Sequence, residues 1–139
     1  MSAVAVRSAL QEALVDITPT IGFAWENVKY SPVPGTPYAR VTVLLAEPAN
    51  AEVGAGARTY YTEQGFMQVD LRYPLGNGPT AALTRAEAIR STFYRGASFT
   101  ASGVTAHIER TPEIMPGRVE DDRFVIPVRS RFYAHIRGA

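Results

Sequence analysis

Residues 65–75, GFMQVDLRYPL, decide how this chain folds. Apolar and polar side chains alternate along the stretch. One face carries Met67, Val69, Leu71 and Tyr73, and the other carries Phe66, Gln68, Asp70 and Arg72. A period of two with one mostly polar face is typical of a half-solvated strand in an antiparallel sheet. The sequence therefore predicts an antiparallel sheet with one covered face.

The segments on either side predict a helix, two strands, a second helix and two more strands in chain order. The helices are residues 5–17, with Val6, Leu10, Leu14 and Ile17 on one face, and residues 79–96, with Ala82, Leu83, Ala86, Ile89 and Phe93. The strands are residues 38–46, 65–73, 103–110 and 123–137, and the long loops are 47–57 and 111–122. Because proline cannot donate to a ladder, Pro127 predicts that the last strand lies at a sheet edge or is bulged. We expect a single α+β domain over residues 1–139, mainly an antiparallel sheet with two helices packed on one face.

Composition restricts the function more than it defines it. The chain has 139 residues, 46% of them hydrophobic and 19% charged, and a formal net charge of +1. Such a balance gives no reason to expect capture of nucleic acid by bulk charge. The absence of cysteine excludes disulfides, thiolate metal sites and cysteine nucleophiles. Residues 1–3 lead directly into the first helix, so we expect no secretory signal. No run approaches the roughly 18 apolar residues of a membrane span, so we expect no membrane partner.

The link after the decisive strand has a motif that suggests an enzyme. Gly76, Gly78 and Ala81 fit G-x-G-x-x-A, the fingerprint of dinucleotide-binding folds. That motif belongs after a strand buried on both faces, whereas this strand has a polar face. Pro79 also removes one N–H that would point at a phosphate. The stretch is better explained as a turn into the second helix, and we expect no cofactor.

The remaining polar motifs are weaker. His107 and Glu109 face the same way, and His135 lies on another strand, so a metal site is conceivable, but solvent-facing histidines are commoner. Residues 120–122, EDD, are more typical of a solvated loop than of a cation site. We expect no catalytic residues and no metal.

The order of landmarks along the whole chain carries more information. It includes Trp25-Glu26-Asn27, Pro37-Tyr38, the stretch from Gly65 to Pro74 with Gln68 and Val69, and Pro116-Gly117 before the last strand. This order, over about residues 5–135, resembles the tail-terminator proteins of long-tailed bacteriophages and the related tail-completion proteins of gene transfer agents.

The resemblance implies a non-enzymatic assembly protein of the virion. In that family six copies form a ring on the last disc of the tail tube, stop its polymerisation and offer a surface to the head connector. The implied partners are therefore further copies of the chain, the tail tube protein and a connector or neck protein. DNA would pass through the lumen, and the near-neutral charge suggests that it does so without specific binding. Assembly would take place in the host cytoplasm, at the head-proximal end of the tail.

Two other hypotheses remain open, a head-completion or neck protein and a small nucleotide-binding enzyme that uses the Gly76–Gly78 loop. For the assembly hypothesis, aromatic and arginine residues are favoured at interfaces. The candidate interface residues are Trp25, Arg58, Tyr60, Tyr61, Arg118, Glu120, Asp121 and Arg123. Each has a plainer explanation, since Trp25 could anchor the first helix in the core, the tyrosines could be half-buried in a strand, and the charged residues could lie in a solvated loop.

Overall fold

The computed structural model describes residues 2–17, 21–48 and 60–137. Its helices are α1 (Ser2–Val15) and α2 (Thr80–Thr92). Its strands are β1 (Gly22–Ala24), β2 (Tyr38–Leu45), β3 (Tyr60–Pro74), β4 (Ser98–Ala101), β5 (Val104–Ile108), β6 (Glu113–Ile114), β7 (Arg118–Glu120) and β8 (Arg123–Arg137). The predicted α+β class, with two helices and a mostly antiparallel sheet, is confirmed.

The described strands form one sheet in the order β1-β2-β3-β8-β5-β4, and β6 and β7 also pair with β8. All pairs are antiparallel except β1 and β2, which run parallel. The sequence predicted only four of these strands, so it was wrong about their number, whereas a mainly antiparallel sheet was predicted correctly. It also placed residues 111–122 in a loop, although β6 and β7 lie within them.

The core lies on one face of this sheet. Val69 of β3 stands opposite Val128 of β8 in an uninterrupted register from Tyr60↔Arg137 to Pro74↔Arg123. Their face packs against the predicted stripe of α1, and Val6, Leu10, Leu14 and Ile17 are all buried. Each such side chain contributes about 1.5–3 kcal/mol when fully buried.

The buried stripe of α2 differs from the predicted one at a single position. Ala82, Ala86 and Ile89 are buried, followed by Phe93 just beyond the helix, but Leu83 is 41% exposed. The four buried residues are spaced by four, three and four positions, which keeps them on one side of the helix. Leu83 directly follows Ala82, so its side chain points about 100° away from that side. The prediction that Leu83 packs in the core is therefore wrong.

The prediction for Pro127 is also wrong for the strand as a whole, because β8 is an interior strand and its register shows no bulge. The physical reason for the prediction still applies locally. The Pro127 carbonyl accepts a bond from the Met115 N–H at 2.9 Å, so its nitrogen points to the side of β6 and β7. On that side the ladder is interrupted between the partners Val128 and Val125. The proline occupies this gap, where no N–H donor is needed.

The sheet face that turns away from the helices, here called the outer face, is less exposed than the sequence predicted. Gln68 and Asp70 are half-buried, and Arg72 is only 4% exposed. Arg129 covers part of this face, with its guanidinium carbon 4.1 Å from the Phe66 ring centroid and Nη2 2.9 Å from Gln68 Oε1. The half-solvated strand that the alternation predicted therefore has its polar side chains packed in a partly buried layer.

Candidate assembly surface

The glycine link lacks the structural context of a nucleotide cradle. β3 is antiparallel to both of its neighbours, β2 and β8, whereas the fingerprint belongs to a parallel sheet. Gly76 and Gly78 have φ of +88° and +70°, which glycine adopts without strain. Pro79 is the N-cap of α2, and no side chain caps this end. The geometry therefore agrees with a turn that redirects the chain from the strand into the helix.

The two histidines belong to an aromatic row on the outer face. The His107 ring stacks on Tyr133 at 5.1 Å between centroids, and Tyr133 meets the edge of His135 at 5.3 Å. His135 Nδ1 lies 3.0 Å from the Thr62 hydroxyl. Over the described ranges, no group of three His, Cys, Asp or Glu side chains is arranged to hold a metal ion.

A second cluster on the outer face joins three parts of the chain around Tyr38. The guanidinium carbons of Arg72 and Arg123 lie 5.8 and 5.1 Å from its ring centroid, and Tyr30 stacks on it at 4.9 Å. Arg123 Nη2 donates to the Val33 carbonyl at 2.9 Å, and its Nη1 donates to the Thr36 carbonyl. The cluster thereby holds residues 30–36 against the start of β8.

Arg72 connects this cluster to the β7–β8 turn. Its Nη1 donates to Glu120 Oε1 at 2.9 Å, and Glu120 also accepts from Arg118 Nη2 at 3.0 Å. The bonds from Arg72 and Arg118 lower the pKa of Glu120 below its usual value. Burial by itself lowers the pKa of Arg72, but the bond to Glu120 and the nearby Tyr38 hydroxyl more than offset this, so its pKa is raised. Arg72 Nε is buried, and it has no hydrogen-bond partner among the residues that the structure describes.

Glu26 closes part of the open edge of β2. Its Oε1 accepts from the Val43 N–H at 2.9 Å and from Arg7 Nη2 at 2.5 Å. The bond from the Val43 N–H and the pairing with Arg7 lower the pKa of Glu26, against the opposing effect of burial. Beyond β1, no described strand lies beside the outward N–H groups of β2, so Glu26 supplies an acceptor that the described sheet does not.

Two adjoining cavities on the outer face form a groove, here called the β2 groove. The first, of about 300 Å³, is bordered by Trp25, Glu26, Tyr30 and Pro32, together with Tyr38 and Arg40. The second, of about 380 Å³, shares Pro32, Tyr38 and Arg40 and adds Arg72, Asp121, Asp122 and Arg123. One end of the groove is therefore aromatic and the other is rich in arginine and aspartate, which is a chemistry suited to protein contacts.

The predicted interface residues fall in three places. Trp25 stacks on Phe23 at 5.1 Å, packs against the core and borders the β2 groove. Tyr61 is half-buried against the core. Arg58 and the side chain of Tyr60 lie outside the described residues.

The other four candidates, Arg118, Glu120, Asp121 and Arg123, come together at the β7–β8 turn. Arg123 is 5% exposed and bonded within the chain, whereas the Asp121 side chain is 82% exposed. Their role between subunits stays a prediction. Sequence reasoning missed Arg40 and Tyr30, and it assigned Arg72 to solvent. The Trp25-Glu26-Asn27 and Pro37-Tyr38 landmarks and the candidates Asp121 and Arg123 were the signals that pointed to this region.

These features describe a small α+β protein whose notable surfaces are a groove and open sheet edges. A protein-family model described as phage tail terminator protein matches residues 5–132. The chain belongs to this family, and it is a structural component of phage tail assembly and of the virion. The resemblance seen in the sequence is thereby confirmed.

A solved structure shares the fold, with 23% sequence identity, a TM-score of 0.77 and coverage of 96% of both chains. At that identity the likeness shows the fold alone. No curated protein matches the sequence. Neither α1 nor α2 is long and apolar enough to cross a membrane.

Proposed function

We propose that the protein forms a closed ring of six copies on the end of the tail tube, stops tube polymerisation and provides the joint to the head connector. The observation that carries this proposal is the family match over residues 5–132, nearly the whole chain. The protein acts without catalysis, assembles in the host cytoplasm and occupies the head-proximal end of the tail. The antiparallel setting of the Gly76–Gly78 link supports a non-enzymatic role.

The shape of the sheet supports a ring. A closed ring of identical subunits needs two different surfaces that fit each other, because each copy meets its neighbours head to tail. The described sheet offers different edges at its two ends, β1 with the rest of β2 at one and β4 at the other. Leu44 and Leu45 at the end of β2 are exposed. Such apolar positions beside an open edge are suited to contact with another protein.

DNA passes through the lumen of the proposed ring without specific binding. The net charge of +1 gives little phosphate attraction, so DNA retention by the purified protein should be weak. Strong binding that falls steeply with salt concentration would contradict this part of the proposal.

The test is tube growth with purified components. Tube protein of the same phage is polymerised with and without the added protein, and tube lengths and ends are measured by electron microscopy. We expect growth to stop and a six-fold ring to appear at the tube end. Continued growth would refute the terminator role, and a stable ring of another number would refute the hexamer. Binding to connector rings but not to tubes would favour a neck protein.

A further inference from the structure

We propose that the β2 groove binds a second copy of this chain, and that the segment it receives is the exposed stripe of α1 formed by Glu12, Val15 and Asp16, here called the α1 stripe. The inference rests on the proposed ring and specifies the contact between neighbouring protomers. Glu12, Asp16 and Arg40 are charged groups without an ion-pair partner among the described residues of one protomer.

The α1 stripe carries two carboxylates in an unfavourable position. Glu12 lies in the last turn of α1 and Asp16 follows its last residue, with no basic residue in that turn. Negative charge near a helix C-terminus is opposed by the helix dipole. Neither carboxylate makes an ion pair with any residue that the structure describes. Residues 12, 15 and 16 are neighbours on one side of the helix, and Val15 between the two charges is 39% exposed.

The β2 groove offers a complementary group at Arg40, where its two cavities join. Arg40 is exposed and borders both cavities, and it has no ion-pair partner in the described part of the chain. Asp70 stands opposite it in the register, but that carboxylate accepts from Gln68 Nε2 at 3.0 Å. The Glu26 carboxylate in the first cavity is already bound by Arg7. Arg40 is therefore the cation that an incoming carboxylate meets.

The aromatic end suits the apolar part of the stripe. Trp25, Tyr30 and Pro32 border the first cavity beside Arg40, so Val15 can pack there while the flanking carboxylates reach the guanidinium. Asp121 and Asp122 border only the second cavity and would repel the stripe from that end. This asymmetry directs the α1 stripe to the Trp25–Arg40 end of the groove.

The two surfaces lie on opposite sides of the sheet. The helices pack on the core face, whereas Tyr38 and Arg40 point from β2 to the outer face. A contact between unlike surfaces on opposite sides passes from one protomer to the next and can close into a ring. A two-fold dimer would instead require the groove-to-stripe contact to form twice between the same two protomers, which surfaces on opposite sides of the sheet disfavour.

Cysteine cross-linking tests the contact directly, because the chain has no cysteine of its own. A variant with both Asp16→Cys and Arg40→Cys is bound to tube ends and mildly oxidised. We expect a ladder of covalent oligomers that ends at the size of the ring. Each single-cysteine variant alone should give no covalent dimer, whereas an equimolar mixture of the two should give covalent dimers. A cross-linked ladder shorter than the ring or no ladder at all, on tubes that have stopped growing, would overturn the inference.

Charge reversal gives a second test that does not depend on disulfide geometry. Arg40→Glu should lower ring occupancy on tube ends at least tenfold, since like charges would then meet. Glu12→Arg with Asp16→Arg should do the same, and the three changes together should restore occupancy. Arg95→Glu and Glu87→Arg are matched controls at exposed positions and should leave occupancy unchanged.

The outcomes separate this inference from the proposed function. If wild-type protein does not stop tube growth, the terminator role fails. If it does stop growth but the triple variant is not rescued and no ladder forms, only the contact fails. Loss of tube binding with Arg40→Glu alone, without rescue by the α1 changes, would assign the groove to the tube protein and overturn the inference.

Discussion

Arg123 shows how one side chain can hold a loop to a sheet. It donates to two carbonyls of residues 33–36 and lies against the Tyr38 ring, and Arg123 itself is only 5% exposed. Hydrogen bonds to charged groups contribute about 1.5–3 kcal/mol each, and less where water can replace them. Within one protomer, a buried arginine of this kind stabilises the fold.

Truncation of Arg123 should therefore destabilise the protein. We expect Arg123→Ala to lower the free energy of unfolding by about 2–4 kcal/mol, because two carbonyls lose their donors and the Tyr38 ring loses its covering. The measurement is urea denaturation at neutral pH. Arg131→Ala, at an exposed position of the same strand, should change it by less than about 0.5 kcal/mol. Equal effects of the two changes would contradict this role for Arg123.

Glu26 should make stability depend on acid. Its folded-state pKa is lowered, so between the two pKa values the unfolded chain binds more protons than the folded protein. Its contribution is complete above the usual glutamate value of 4.5 and is lost as the pH falls through the lower folded value. Glu26→Gln should weaken this loss, seen as a smaller drop in the urea midpoint between neutral and acidic pH. The exposed Glu87→Gln should keep the wild-type drop.

At the scale of elements, the tightest contact between two strand backbones lies where β2 ends beside Gly65 of β3. A Cβ on Gly65 would lie 2.0 Å from the Leu44 carbonyl oxygen, which is backbone and cannot move aside easily. Close packing against the β2 backbone thus explains why the first residue of the Gly65–Pro74 landmark is a glycine. Glycine permits the two strands to approach at the point where β2 ends.

Gly65→Ala should disturb this approach. We expect a loss of about 1–3 kcal/mol in the free energy of unfolding, the usual cost of overpacking, or more if β2 detaches locally. Hydrogen exchange should show faster exchange at the end of β2 than in the wild type. Ser98→Ala, at an exposed position of β4 at the far end of the sheet, is the control and should leave those amides protected. An unchanged exchange pattern in Gly65→Ala would contradict the steric argument.

Long elements could be predicted from the sequence, and the shortest strands could not. The alternation in β3 and the stripe of α1 are local patterns, and both were confirmed. Strands of two to four residues, such as β1 and β6, contain too little of any period to be detected. The burial of Arg72 depends on the register that sets it opposite Tyr38, and on β7 bringing Glu120 to it. The groove could not be predicted for the same reason, since Trp25, Arg40 and Asp121 meet only through long-range pairing.

At the scale of the whole molecule, the family assigns a role that a gene deletion can test. Phage that lack the protein should make tails longer than the wild type, because nothing stops tube growth. Supplying the protein from a plasmid should restore tail length, and a plasmid without the gene is the control. Tails of normal length that fail to join heads would instead indicate a neck protein. Lengths are measured on negatively stained lysates.

The pairing of β3 with β8 over residues 60–74 and 123–137 has a mechanical consequence. Antiparallel hydrogen bonds run perpendicular to the strands. A pull along the strands therefore loads the whole ladder together, whereas a pull across them opens it one bond at a time. Single-molecule pulling through paired attachment points should find the protein stiff in the first direction and weak in the second. A tail joint with such anisotropy would transmit tension best when these two strands lie along the line of force.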